Sequence, residues 1–103
     1  MPRRVRLRYT PRALIELDRI FDRLHTEAPT GARNVQRQLQ SVVRLLRSNP
    51  EAGTATESEP VRRISVRPYP YVVFYRYSDE EVVIFAVRHA ARDPRTMPGG
   101  NGK

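Results

Sequence analysis

The stretch Val61–Pro94, VRRISVRPYPYVVFYRYSDEEVVIFAVRHAARDP, constrains the fold more than any other part of the chain. It contains three runs with strand character. Val61–Arg67 alternates, Tyr71–Tyr77 is apolar and aromatic almost throughout, and Val82–His89 is rich in β-branched residues. Side chains branched at Cβ lose less rotamer freedom in an extended chain than in a helix, and they pack well on a pleated surface. Pro68-Tyr69-Pro70 removes two backbone donors and fixes two φ angles, which predicts a turn. Ser78-Asp79-Glu80-Glu81 is a polar tetrad of hairpin length. Connections this short predict an antiparallel meander, because parallel neighbours need a crossover of about a dozen residues or more.

Upstream, Arg3–Tyr9 alternates, with Val5, Leu7 and Tyr9 on one side and Arg4, Arg6 and Arg8 on the other. That is a strand with one buried face, and its arginines read either as protection of a sheet edge or as a polyanion contact. Thr10-Pro11 then reads as a helix cap followed by proline at the first helical position. Ala13, Leu17, Ile20, Phe21 and Leu24 recur at helical spacing as a core stripe. The other face of this helix, with Arg12, Glu16, Asp18, Arg19, Asp22, Arg23 and Glu27, nearly cancels in charge and reads as solvated surface. Ala28-Pro29-Thr30-Gly31 closes the first helix and opens the second, with Thr30 as its cap candidate. The second helix is predicted to end near Ser48, before Asn49-Pro50, with Val35, Leu39, Val42, Val43 and Leu46 facing the core. It carries Arg33, Arg37, Arg44 and Arg47 and no acid, so it is basic.

A helix-turn-helix is set aside, because the connector is longer than the usual tight turn and such a domain has no need of the strands that follow. The pattern predicts an α+β domain of order β-αα-βββ over residues 1–94, a helical hairpin packed on one face of a small antiparallel sheet. Glu51–Pro60 is expected as a polar, mobile loop, and residues 95–103, rich in glycine, as a disordered tail.

A chain of 103 residues buries roughly 65% of its extended surface, enough for one core without staples. With no cysteine there is no disulfide and no thiolate metal site, and His25 and His89 are too far apart in sequence to form a local ligand pair. No metal or other cofactor is expected. No apolar run approaches the roughly 20 residues that cross a bilayer, so the expectation is a cytoplasmic protein without membrane contact. The formal charge is +8, and of the 19 basic residues only Lys103 is lysine. Guanidinium groups make bidentate contacts to carboxylate and phosphate, which points to an acidic protein or a nucleic acid as partner.

The meander strands are apolar on both faces, whereas a sheet covered on one side alternates cleanly. The helical hairpin covers one face. The second is therefore expected to hold an apolar patch rimmed by Arg63, Arg67 and Arg88, a binding surface. Tyr69, Tyr71, Tyr75 and Tyr77 read first as sheet packing and second as stacking platforms.

Arg62-Arg63-Ile64, Tyr69-Pro70-Tyr71-Val72-Val73-Phe74-Tyr75, Val82-Val83-Ile84 and Arg88-His89-Ala90-Ala91-Arg92-Asp93-Pro94 together resemble the ParE/RelE superfamily, the toxins of bacterial type II toxin–antitoxin pairs. The RHAARDP ending and the PYPYVVFY run are closer to the ParE branch, and the resemblance covers residues 3 to 94. It implies a toxin that inhibits DNA gyrase by binding and is neutralised by a cognate ParD-like antitoxin with an acidic C-terminal segment. Operator DNA would be met only through that antitoxin. The antitoxin site is expected at Arg63, Arg67, Tyr75, Tyr77 and Arg88, and a target-binding face at Arg33, Arg37, Arg44 and Arg92.

The resemblance leaves two alternatives: a RelE-like ribosome-dependent mRNA endonuclease, or a non-toxic antitoxin-binding regulatory partner. The nuclease pattern is incomplete here. Arg63 and Arg92 match two of its basic positions, but Ser65, Val72 and Pro98 stand where another basic residue, an arginine and a tyrosine belong. A nuclease would have to work through Arg63, His89 and Arg92, with His89 the one candidate that titrates near neutrality. As a structural residue, His89 is a strand-end histidine bonded to a backbone group. Otherwise no catalytic residue is expected.

Overall fold

The computed structural model of the protein describes residues 5–91. The elements in chain order are β1 (Arg6–Tyr9), α1 (Pro11–Glu27), α2 (Pro29–Ser48), a short 3-10 turn (Pro50–Ala52), β2 (Thr54–Ala55), β3 (Arg62–Ser65), β4 (Tyr71–Tyr77) and β5 (Glu81–His89). The strands form one sheet of order β1-β5-β4-β3-β2. Arg92, Arg95 and the expected tail, like Arg3 and Arg4, lie outside the described residues.

The meander β3–β4–β5 is antiparallel, as the short connections require. The sheet as a whole is mixed, which corrects the expectation of an all-antiparallel one. β1 pairs with β5 in parallel, Leu7 opposite Val82 and Tyr9 opposite Ile84. Between β1 and β5 the chain runs through both helices and three further strands, so no short connection dictates their relative direction. As the alternation implied, Val5, Leu7 and Tyr9 enter the core, while Arg6 and Arg8 are exposed at this edge.

Both helices cover one face of the sheet. Thr10 caps α1, its hydroxyl accepting from Ala13 N at 3.1 Å, with Pro11 at the first helical position. α2 departs from expectation at its start. Ala28 is its cap residue with no side-chain bond, Pro29 opens the helix, and Thr30 falls inside the first turn. A single residue, Ala28, therefore joins the two helices, a connection shorter than the sequence suggested. Ala13, Val35, Leu39, Val42 and Leu46 pack on Val66, Tyr71, Val73, Tyr75, Val82, Ile84 and Val87. This is the main core.

One irregularity decides which β5 residues join it. Phe74 is opposite Ala86 but Tyr75 is opposite Ile84, so β5 carries one extra residue, Phe85. A bulge of this kind shifts the alternation by one step. Val87 therefore joins Val82 and Ile84 in the main core, while Ala86 packs with Val72 and Phe74 on the other face. Strict alternation would instead place Val87 with Val83 and Phe85.

That second face is not the open apolar patch expected. Val72, Phe74 and Ala86 are each at most 2% exposed, a closed cluster with Val61 and Phe85 packed against it. Arginines of the same face lie over the aromatic rings: the Arg63 guanidinium is 5.9 Å from the Phe74 ring centre and that of Arg76 is 5.6 Å from Phe85. Arginine stems shield apolar surface while the charged heads stay wet, and a guanidinium over a ring is itself favourable.

The segment 51–60 also differs from the loop expected. β2 pairs with β3, Thr54 opposite Arg63 and Ala55 opposite Arg62. The Tyr75 hydroxyl donates to Pro50 O at 2.7 Å and accepts from Gly53 N at 2.9 Å. Arg62 donates to Glu51 O at 3.2 Å and Gly53 O at 2.8 Å. Side chains from the sheet thus satisfy a turn that has few partners of its own.

Candidate functional site

Two hollows gather the residues that could meet a partner. The first runs along the outer edge of β3. β2 is only two residues long and pairs with Arg62 and Arg63 alone, so among the described residues no strand pairs Ile64 or Ser65 on that side. Gln38, Val42 and Leu45 of α2 form one wall of the groove there, and Ile64, Ser65, Arg63 and Arg67 the other. Leu45 is 44% exposed, a large apolar side chain left in water beside this edge. An open strand edge offers backbone donors and acceptors to an extended peptide, and flanking guanidinium groups favour an acidic one.

The second hollow lies between α1 and the far half of β5, a cleft of about 420 Å³ lined by Arg12, Glu16, Arg19, Arg23, Arg88 and His89, with Tyr71, Ile20 and Val87 at its base. β1 ends at Tyr9, opposite Ile84, so β5 has lost its partner strand at this point. Glu16 takes over. Its Oε1 accepts from Val87 N at 2.9 Å, and its Oε2 lies 2.9 Å from Arg88 Nε and 3.6 Å from Arg12 Nε. The Arg88 contact is one of charge rather than an aligned hydrogen bond. His89 is fixed at the end of β5: its Nδ1 accepts from Ala91 N at 3.1 Å and its ring meets Tyr71 edge-on, centres 5.4 Å apart. In the neutral ring that bond leaves the proton on Nε2.

The family model for the ParE toxin of the type II toxin–antitoxin system, parDE, matches residues 7–94. The chain belongs to the ParE toxin family. Y4kP of Sinorhizobium fredii is 32% identical over 87 residues, spanning 84% of this chain and 90% of the relative. Toxin RelE2 of Caulobacter vibrioides is 34% identical over 84 residues, 82% of this chain and 93% of the relative. Among solved structures, a chain of the chromosomal ParDE system from P. aeruginosa shares the fold with a TM-score of 0.68 at 24% identity, over 82% of this chain and 95% of that one. A chain of the E. coli DinJ–YafQ toxin–antitoxin complex does so with a TM-score of 0.55 at 14% identity, over 88% and 96%.

In this ParE-family chain the expected site residues divide. Arg63 and Arg67 flank the β3 groove together. Arg88 is across the sheet in the α1–β5 cleft, its side chain 14% exposed and held by Glu16. Tyr77 is 36% exposed and lines a separate hollow with Arg62, Val61 and Asp79. Tyr75 is a correction: it is wholly buried, with its hydroxyl bonded to Pro50 and Gly53, so it supports the groove from beneath and presents nothing to a partner. Arg33, Arg37 and Arg44 are exposed on α2. Arg63 and His89 line different hollows, and Arg92 lies outside the described residues. His89 has the backbone bond expected of a strand-end histidine.

The arginines of α1 were missed in the sequence. Arg12, Glu16, Arg19 and Arg23 follow one another at four- and three-residue steps. They form one face, while Asp18 and Asp22 fall on another. Summing charge over the whole outer surface hid that division.

Proposed function

We propose that this ParE-family chain is the toxin of a toxin–antitoxin pair, silenced when an acidic C-terminal segment of the antitoxin lies along the open edge of β3. Released, it stops growth by binding DNA gyrase. The observation that carries this reading is the edge at Ile64 and Ser65, which no strand among the described residues pairs, beside the exposed Leu45 and between Arg63 and Arg67. An extended segment there continues the lane that β2 begins, meets apolar side chains of α2, and places carboxylates against two guanidinium groups. Binding is favoured over chemistry because Arg63 and His89 do not converge, and His89 Nδ1 is occupied by a backbone donor. The acidic partner and the gyrase target come from the family resemblance.

The test is expression of the full chain with and without the product of the adjacent reading frame. Arg63→Glu with Arg67→Glu is expected to abolish antitoxin capture while leaving growth arrest in place. Alone, the unaltered chain is expected to accumulate gyrase-cleaved plasmid. Capture undiminished by the double reversal overturns the groove, and growth unharmed by the chain alone supports a regulatory partner instead.

A second reading, ribosome-dependent mRNA cleavage, is favoured by one observation, a histidine in an arginine-lined cleft; a relative named Toxin RelE2 accompanies it. Primer extension showing cuts in ribosome-bound mRNA would establish it over gyrase.

A further inference from the structure

The α1–β5 cleft stands apart from the β3 groove and has no role in the antitoxin and gyrase reading proposed first. Four guanidinium groups line it against one carboxylate, Glu16. That carboxylate is already committed to Val87 N, Arg88 and Arg12. Arg23 shares its charge with Glu27 at 3.3 Å on the helix surface, and Arg19 has no ion pair among the described residues. Among the described residues, guanidinium groups therefore outnumber carboxylates in the lining of this cleft.

We propose that this cleft binds the phosphodiester backbone of a nucleic acid, with Arg12, Arg19 and Arg23 meeting successive phosphates. Two observations choose this ligand class over other anions. The first is spacing. At about 1.5 Å per residue the positions 12, 19 and 23 are spread over about 16 Å of helix, more than a single phosphate or a nucleotide's polyphosphate fills, yet suited to a run of phosphates along one strand. The second is the strand edge. An acidic peptide gains much of its hold from pairing with free backbone groups, and at this edge Val87 N is bonded to Glu16 and Ile84 O accepts from Thr10 N at 2.9 Å. What the cleft offers is charge and guanidinium forks, the chemistry of backbone recognition without base readout. Tyr71, 8% exposed, is too enclosed to stack on a base, which again leaves the phosphates as the recognised group.

Fluorescence anisotropy of a labelled single-stranded 12-nucleotide oligomer with the purified full chain tests this, over a salt series. Three phosphate contacts predict a slope of log K against log salt of about −2. The doubly reversed Arg19→Glu, Arg23→Glu chain is expected to bind at least about tenfold more weakly, with the slope falling below about −1 in magnitude. Arg6→Glu with Arg76→Glu, both exposed and outside the lining of the cleft, changes net charge by the same amount and is the control, expected to lose less than about twofold; circular dichroism melts verify that both variants fold. An equal loss in the control would show diffuse attraction to a basic protein and overturn the site. So would a glutamate-rich peptide of equal charge that competes as well as the oligomer. Saturation by inorganic phosphate or ATP at lower concentration than the oligomer would also overturn it, since the cleft would then hold one phosphate group rather than a backbone. Binding of duplex with a slope of about −2.7, against about −2 for the single strand, supports it, as three contacts to the same diester give both values.

Discussion

Tyr75 joins the core to the loop that shapes the β3 groove. Its ring is wholly buried and its hydroxyl is shared between Pro50 O and Gly53 N. Tyr75→Phe keeps the ring and removes both bonds, so urea denaturation is expected to show a loss of about 1–3 kcal/mol, with amide exchange at Thr54 and Ala55 accelerated first. Gly53 is needed here for space. A Cβ would lie 2.5 Å from the Tyr75 hydroxyl and 2.6 Å from Arg63 O, and the latter is backbone that cannot swing away. Glu16 has the corresponding part on the opposite side of the sheet. Glu16→Ala leaves Val87 N–H and Arg88 without their carboxylate and is expected to destabilise by about 2 kcal/mol or more, whereas Glu16→Gln keeps the acceptor for Val87 and is expected to cost less. Denaturation curves of the pair read that difference directly.

At the level of elements, α2 depends on packing more than on its ends. Its start has no side-chain cap, while Leu46 is wholly buried against the sheet. Leu46→Ala is therefore expected to cost about 2–5 kcal/mol, more than Thr10→Ala at the cap of α1, where about 1 kcal/mol is at stake. Thermal melts of the two variants should fall in that order. Both helices were legible in the sequence because their apolar residues recur at a local period and proline marks each start. The pairing of β1 was not, since no feature within Arg6–Tyr9 distinguishes a parallel neighbour from an antiparallel one. Nor was the bulge at Phe85. A run of apolar residues on both faces has no break in polarity to reveal where alternation shifts.

Across the whole molecule, one buried phenol and one partly buried phenol set an alkaline limit. Burial pushes the Tyr9 hydroxyl above its ordinary value of 10.0, and burial does the same for Tyr75, partly offset by its bond from Gly53 N and by Arg62. The neutral phenol is thus favoured in the folded state. Its contribution to stability is fully present below the unfolded value and is lost as pH rises through the raised folded one. Unfolding free energy from denaturant titrations is expected to fall steeply between about pH 9 and about pH 11, and less steeply in Tyr75→Phe.

The sequence by itself determined the two amphipathic helices, the three-strand meander, the basic balance and the family, because each rests on local spacing or on an unbroken run of residue types. Only the tertiary structure decided where the arginines went. It closed the apolar second face beneath Arg63 and Arg76, moved Tyr75 inside, left the edge of β3 open beyond Arg63, and brought Arg88 and His89 of β5 against Arg12, Arg19 and Arg23 of α1. Charges so distant along the chain meet through strand order and register, which are set by how the core packs and leave no trace in the local spacing of residues.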